Sequence, residues 1–153
     1  MNSSRFKSLT SKFSDVSDIM VVGDIGLDHY IYGNVDRISP EAPVPILRVL
    51  KEESKLGMAA NICHNIYSLG GKSSLVSIIG DDKHGAAIRE MMVKEGVNID
   101  SLVTHDDVRT ISKERILTSR QQICRVDYED EHPSYTESQL GLVQNAYKSI
   151  LEK

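Results

Sequence analysis

Two carboxylates follow a short apolar run near the start of the chain. The run is Met20–Gly23, and Asp24 and Asp28 come after it, before the chain continues as Tyr30–Tyr32. A short apolar run with β-branched residues predicts a buried central strand. Open α/β sheets bind ligands just past the carboxyl ends of their parallel strands, which makes Asp28 a candidate for holding a polar substrate. The alternative is a carboxylate that serves only a turn or a cap.

A glycine- and alanine-rich segment supplies the second group of candidates. The i, i+3, i+4, i+7 spacing of its apolar residues predicts a helix over 57–70, which Gly70 and Gly71 end. Because Gly57 has no side chain, an anion or a sugar hydroxyl can approach the backbone N–H groups at this helix N-terminus. Asn61 lies one turn farther in. Gly57 and Asn61 are therefore predicted to contact the same ligand as Asp28.

Basic residues concentrate in a hairpin near the end of the chain. Residues 110–118 and 122–127 alternate in the manner of strands and are joined by a tight turn. This hairpin carries four basic residues in an otherwise acidic chain: Lys113, Arg115, Arg120 and Arg125. Two interpretations remain open, a solvated charged face and a surface that accepts a phosphate group.

The elements that must position these residues alternate between strand and helix. Strands predicted at 19–23 and 73–79 alternate with the helix over 57–70 and with another helix between Gly85 and Gly96. This rhythm predicts a parallel sheet that is covered by helices on both faces.

Two further helices are predicted at the ends of the chain. Phe6, Leu9 and Phe13 have the spacing of an amphipathic helix over 3–14 that packs on the body of the protein. Overlapping capping boxes, Ser134 with Glu137 and Thr136 with Gln139, start the last helix.

The segment between residues 30 and 50 has a different character. It contains Pro40, Pro43 and Pro45, and proline disfavours both helix and central strand. We therefore predict a pair of edge strands near 30–32 and 44–50. The second has apolar residues on both sides, which is consistent with a small sheet that covers a substrate on one face and a partner subunit on the other. An ordinary edge hairpin is the alternative.

Composition narrows the class of protein. A chain of 153 residues with 40% hydrophobic and 26% charged residues is typical of one soluble globular domain. The net charge of −4, without a basic stripe, argues against nucleic-acid binding. No apolar stretch is long enough to span a membrane, and the first residues lack the apolar centre of a secretory signal. Cys63 and Cys124 are expected to be free thiols, no metal site is predicted, and a cytoplasmic location is expected.

Several motifs together resemble a known family. Gly-Asp-x-x-x-Asp after the first strand and Gly-x-Ala-Ala-Asn at a helix start resemble the ribokinase-like (PfkB) sugar kinases. The segments Arg37–Pro45 and Gln121–Asp127 are similar to the kinase domains of D-glycero-β-D-manno-heptose-7-phosphate kinases. The resemblance extends from about Ile19 to Asp127.

This resemblance implies an α/β, ribokinase-like sandwich with a parallel sheet and a small projecting β-lid, whose strands come from about 30–50 and 110–127. It implies ATP as phosphoryl donor, Mg²⁺, and transfer to the 1-hydroxyl of heptose 7-phosphate in ADP-heptose and lipopolysaccharide core biosynthesis. Asp28 would accept hydrogen bonds from sugar hydroxyls, while Gly57 and Asn61 would hold the sugar from the helix. Family lids also clasp between subunits, which implies a homodimer.

The sequence departs from the family at three positions near the expected site. Met58 replaces a second glycine, and its side chain is expected to disfavour a positive φ. Gly26 stands where heptose kinases carry a bulkier apolar residue, and Leu56 replaces a proline. We expect these changes to bear on substrate identity and affinity.

The family's catalytic Gly-Ala-Gly-Asp segment does not occur in the 153 residues, and no strand follows the last helix as a crossover would require. Residues 1–153 are therefore expected to form the N-terminal, sugar-binding part of a kinase. On this interpretation the chain holds no catalytic residue, and the ATP-binding part is truncated or lies on a complementing chain. A non-catalytic sugar-phosphate-binding or dimerisation module is the alternative. An unrelated nucleotide-binding domain is disfavoured, because Gly-x-Gly-x-x-Gly does not follow the first strand.

Overall fold

A computed structural model describes residues 2–12, 18–130 and 135–152. The described residues form four helices and seven strands. The helices are α1 (Ser3–Thr10), α2 (Met58–Ser68), α3 (Lys83–Lys94) and α4 (Glu137–Leu151). The strands are β1 (Ile19–Val22), β2 (Ile25–Ile38), β3 (Pro45–Gly57), β4 (Ser73–Gly80), β5 (Leu102–His105), β6 (Ile111–Leu117) and β7 (Gln122–Tyr128).

A three-stranded parallel sheet in the order β1-β4-β5 forms the centre of the fold. Every residue of β4 is buried. Leu75 and Ile79 share one core cluster with the buried side chains of α2 and α3, and α4 contacts β4 and β5. The predicted parallel sheet and the strand–helix alternation are confirmed, although β5 was not anticipated.

A second, mixed sheet has the order β3-β2-β6-β7. β2 runs antiparallel to β3 and parallel to β6, and β6 runs antiparallel to β7. Burial declines along β2, from a buried start at Ile25–Leu27 to an exposed end at Asp36–Ile38. This sheet therefore starts in the core and extends away from it, and its strands β2 and β3 include the segments predicted near 30–32 and 44–50.

The prediction that residues 30–32 form an edge strand is wrong, because β2 lies between β3 and β6. The prolines do not oppose this arrangement. Pro40 and Pro43 lie in the connection after β2, and Pro45 is the first residue of β3, which is the edge strand. A proline at the first position of an edge strand removes no ladder hydrogen bond that the sheet needs.

The expected position of Asp28 is also corrected. β1 ends at Val22, and the chain enters the second sheet at Ile25, so Asp28 is the fourth residue of β2 and not part of a loop past a parallel strand. The sequence did not show this because pairing with β6, far along the chain, makes the segment a strand. Asp24 is the carboxylate that directly follows β1.

Two local expectations need correction. The pairing register skips Leu50 of β3, which interrupts the alternation of that strand and leaves Leu50 64% exposed; a second shift skips Asp36 of β2. Phe6 and Leu9 of α1 are 52% and 48% exposed, so this face of the helix is not buried in the core as expected; Phe13 lies outside the described residues.

At α4 the capping box of Thr136 and Gln139 is confirmed, whereas Ser134 lies outside the described residues. Within the described ranges, no helix is both long and apolar enough to cross a membrane.

Candidate functional site

A cavity of about 160 Å³ lies where the second sheet meets the start of α2. Its wall combines three polar side chains with apolar residues and two glycines. The lining residues are Gly26, Leu27, Asp28, Gly57, Met58, Ile111, Lys113 and Arg115.

Strand register brings the polar residues of this cavity together. Asp28 of β2 stands opposite Lys55 of β3 and Lys113 of β6. Two residues earlier, Gly26 stands between Gly57 and Ile111. Because directly opposed residues project to the same face of a sheet, Asp28, Lys113 and Ile111 share the face that forms the cavity.

Asp28 and Arg115 form the ion pair at the centre of the site. The Arg115 Nη2 donates to the Asp28 Oδ1 at 2.8 Å, with the two side chains 21% and 24% exposed. The guanidinium carbon lies 5.7 Å from the centre of the Tyr30 ring. Hydrogen bonding to Tyr30, and then the charge of Asp28, raises the pKa of Arg115. The site therefore holds a fixed positive charge next to an oriented carboxylate.

Gly57 gives access to the other oxygen of Asp28. A Cβ at this position would lie 3.0 Å from the Asp28 Oδ2 and 3.1 Å from the Gly26 carbonyl oxygen. Any larger residue would displace the carboxylate or the strand. Gly57 is the N-cap of α2 and makes no side-chain cap hydrogen bond, so its backbone lies directly against the Asp28 carboxylate.

The four basic residues of the hairpin separate into two groups. Lys113 and Arg115 line the cavity, and Lys113 also pairs with Glu129 at 2.9 Å. Arg125 lies opposite Arg115 on β7, where its guanidinium donates to both carboxylate oxygens of Asp127. This pairing lowers the pKa of Asp127. Arg120 lies in the β6–β7 turn, at the far end of the sheet. The structure thus brings only Lys113 and Arg115 to Asp28.

Asn61 is an exposed residue in α2 and does not line the cavity with Asp28 and Gly57. Its role in binding stays a prediction. Sequence reasoning did not anticipate Ile111 as a wall residue. The signal was available, since Ile111 precedes Lys113 by two positions and so shares its face in a strand.

Met58 adopts the positive φ that its side chain was expected to disfavour. Its φ is 56°, in the left-handed region, where a residue with a Cβ costs roughly 1–2 kcal/mol. Backbone pairing fixes the segment on both sides, because Met58 forms a bridge with Ile25 and the Ala59 N–H donates to the Asp24 carbonyl at 3.0 Å. The connection between β3 and α2 therefore imposes this conformation.

Two other aspartates hold the framework around the site. The Asp24 Oδ1 accepts from the Tyr135 hydroxyl at 2.7 Å, which ties the β1–β2 turn to the segment before α4. Burial, together with this hydrogen bond, raises the pKa of Tyr135 to about 12.

Asp82 caps α3 by accepting from the His84 and Gly85 N–H groups, and it also accepts from the Thr110 N–H just before β6. Asp82 therefore joins the two sheets.

The described residues do not form a preassembled cluster of metal ligands. In residues 2–12, 18–130 and 135–152, no three His, Cys, Asp or Glu side chains group in a way that could hold a metal. The carboxylate in the cavity is already paired with Arg115. No chemical step of this site is therefore assigned to a metal ion.

Comparisons with curated proteins show similarity to sugar kinases. The chain is 47% identical over 115 residues to a D-beta-D-heptose 7-phosphate kinase from Bordetella bronchiseptica, and the alignment covers 75% of this chain and 36% of that protein. It is 37% identical over 133 residues to the bifunctional protein HldE of Aliarcobacter butzleri, and this alignment covers 87% of this chain and 28% of that protein. The chain thus spans about a third of the length of these relatives.

Solved structures show the same fold over part of their chains. A carbohydrate kinase from Agrobacterium tumefaciens matches with a TM-score of 0.60 and 22% identity, over 74% of this chain and 36% of that chain. An uncharacterized sugar kinase from Pyrococcus horikoshii in complex with ATP matches with a TM-score of 0.51 and 25% identity, over 73% and 34%. The family profile described as pfkB family carbohydrate kinase matches residues 16–149. With this match over most of its length, the chain belongs to the pfkB family of carbohydrate kinases.

Proposed function

We propose that this chain forms the acceptor-binding part of a heptose 7-phosphate kinase, which transfers phosphate from ATP to the 1-hydroxyl of D-glycero-D-manno-heptose 7-phosphate. The observation that carries the proposal is the cavity in which Asp28, Arg115 and Lys113 meet around Gly57. The 47% identity to a heptose 7-phosphate kinase favours this sugar phosphate over others.

The polar groups of the cavity match the groups of such a substrate. The Asp28 carboxylate accepts hydrogen bonds from sugar hydroxyls, with Arg115 holding it in place. Lys113 and Arg115 supply positive charge for the phosphate that the sugar already carries. Kinases accelerate phosphoryl transfer mainly by positioning and charge stabilisation, and this site contributes the positioning of the acceptor.

We propose that residues outside this chain bind the nucleotide and supply the catalytic base. The 153 residues contain no Gly-Ala-Gly-Asp segment, and the described ones group no metal ligands. The chain alone is then not expected to phosphorylate the sugar. The second sheet serves as the lid over the acceptor and as the contact with a second copy or with a complementing chain. Such an enzyme would work in the cytoplasm, where ATP and sugar phosphates are available.

Calorimetric titration with heptose 7-phosphate tests the acceptor site. Replacing Asp28 with Ala is expected to weaken binding roughly tenfold to a hundredfold, because a hydrogen bond to a charged group contributes about 1.5–3 kcal/mol. Asp36 is the matched control, since it lies on the same strand but pairs with Arg48 at the exposed end. Asp36→Ala should bind like the parent. Equal affinity of Asp28→Ala and the parent would reject the assignment.

The absence of the catalytic segment also favours the second candidate, a sugar-phosphate-binding or dimerisation module without activity. Adding the C-terminal part of the Bordetella bronchiseptica relative to the purified chain distinguishes the two. ATP-dependent phosphorylation that appears only in the mixture would support the kinase, whereas binding of the sugar without any phosphorylation would support the module.

A further inference from the structure

Met58 is the only non-glycine residue with a positive φ in the part of the chain that the structure describes. Residues held in such conformations concentrate at ligand-binding sites, where the surrounding structure maintains them. Met58 fits this pattern, because it is 45% exposed and lines the cavity that contains Asp28. A residue that only packed in the core would be buried.

The Met58 side chain occupies the space that Gly26 leaves open. A Cβ at Gly26 would lie 3.2 Å from the Met58 Sδ, 3.2 Å from the Ile111 carbonyl oxygen and 3.3 Å from the Ile111 Cγ2. Both distances to Ile111 involve the strand that pairs directly with Gly26. The bulk on this wall of the cavity therefore comes from position 58 instead of position 26.

The cavity as a result has two chemically different walls. Asp28, Lys113 and Arg115 form a polar wall, and Met58 with Ile111 forms an apolar one. A sugar phosphate has the same division, with hydroxyls and a phosphate on one side and a face of C–H groups on the other. A thioether side chain is flexible and polarisable, so it adapts to the shape of such a face.

We propose that Met58 is a specificity-determining residue for the acceptor. Held in the left-handed conformation over Gly26, its thioether closes one wall of the cavity and contacts the carbon face of the sugar phosphate. This proposal rests on the proposed function, and it adds that the shape of the Met58 side chain determines which sugar rings fit the cavity.

Titrations with two sugar phosphates test this role of Met58. The parent and M58G are titrated with heptose 7-phosphate and with fructose 6-phosphate. We expect M58G to bind heptose 7-phosphate about tenfold more weakly, since it loses the apolar contact, and to discriminate less between the two sugars. If the parent binds and M58G keeps the same affinity and preference, the role of Met58 is refuted while the acceptor site stands. If the parent binds neither sugar, the proposed function fails and the role of Met58 fails with it.

A second measurement needs no ligand. G26A is expected to lower the Tm of the parent by roughly 3–8 °C, because the new methyl group overpacks against Met58 and Ile111. In the M58G background the loss should be smaller, since only the contacts with Ile111 remain. An equal loss in both backgrounds would show that Met58 does not fill this space, and it would overturn the proposal.

Met91 provides the matched control for the substitution itself. It lies inside α3 and packs against the core. M91G should lower the Tm by roughly 2–4 °C or more, because glycine destabilises a helix interior, and should leave sugar affinity unchanged. M58G should not lower the Tm, because glycine accepts a positive φ. A loss of Tm in M58G as large as that in M91G would contradict the strained geometry of Met58.

Discussion

The two sheets of this protein are stabilised in different ways. In the parallel sheet, every residue of β4 is buried. In the mixed sheet, β7 has only two half-buried residues and the rest are exposed. Ion pairs connect neighbouring strands of the mixed sheet, whereas apolar side chains pack against the parallel one. The comparison shows a fold in which one sheet lies wholly in the core around β4, whereas the other shares the core only at its base and carries the candidate binding chemistry.

The largest expected effect tests this division with two leucines. Leu75 of β4 is fully buried, whereas Leu50 of β3 is 64% exposed. Leu75→Ala is expected to lower the free energy of unfolding by about 2–5 kcal/mol, because it leaves a cavity in the core. Leu50→Ala should change it by less than about 0.5 kcal/mol. Urea unfolding of both variants measures the difference, and similar losses would contradict the division between the sheets.

A smaller effect is expected where Asp82 joins the two sheets. Asp82→Asn weakens the acceptor of three backbone N–H groups, at Thr110 and at the start of α3, and we expect a loss of about 1–3 kcal/mol. Asp81 is the exposed neighbour and the matched control. Asp81→Asn should cost less than about 0.5 kcal/mol in the same urea titration.

The pH dependence of this effect has a defined sign. Burial opposes the charge of Asp82, but its hydrogen bonds to Gly85, Thr110 and His84 outweigh burial and lower its pKa. A depressed pKa in the folded state means that the stabilisation is complete above the unfolded value of about 3.9 and is lost as the pH falls through the folded value. Stability of the parent should therefore fall more steeply below pH 4 than that of Asp82→Asn. Parallel curves would show that the carboxylate is not the link.

The difference between the sheets also explains what the sequence could predict. The strand–helix alternation of the parallel sheet follows from local periodicity, and the structure agrees with it for β1, α2, β4 and α3. The position of Asp28 depends on pairing with Lys113, which lies far along the chain, and no local pattern contains that register. The same reason explains why four basic residues seemed equivalent, although only Lys113 and Arg115 lie at the cavity.

The smallest expected effect compares two ion pairs that both involve β2. Asp28–Arg115 lies at the base of the mixed sheet with side chains 24% and 21% exposed. Asp36–Arg48 lies at the outer end, with side chains 61% and 69% exposed. Double-mutant cycles with alanine are expected to give a coupling of about 0.2–1 kcal/mol for the outer pair and about 1–2 kcal/mol for the inner pair, because solvent screens the outer pair more.

High salt should separate the coupling energies of the two ion pairs further. At 1 M NaCl the screening length is about 3 Å, so the coupling of the exposed outer pair should fall to near zero, whereas the half-buried inner pair should keep most of its coupling. Retained coupling at the base means that Arg115 holds the Asp28 carboxylate in place before any sugar arrives, and such preorganisation reduces the entropy lost on binding. Equal coupling in the two pairs, or equal loss in salt, would mean that the base of the mixed sheet is no more ordered than its outer end. Asp28 would then have to be oriented by the ligand instead of by the fold.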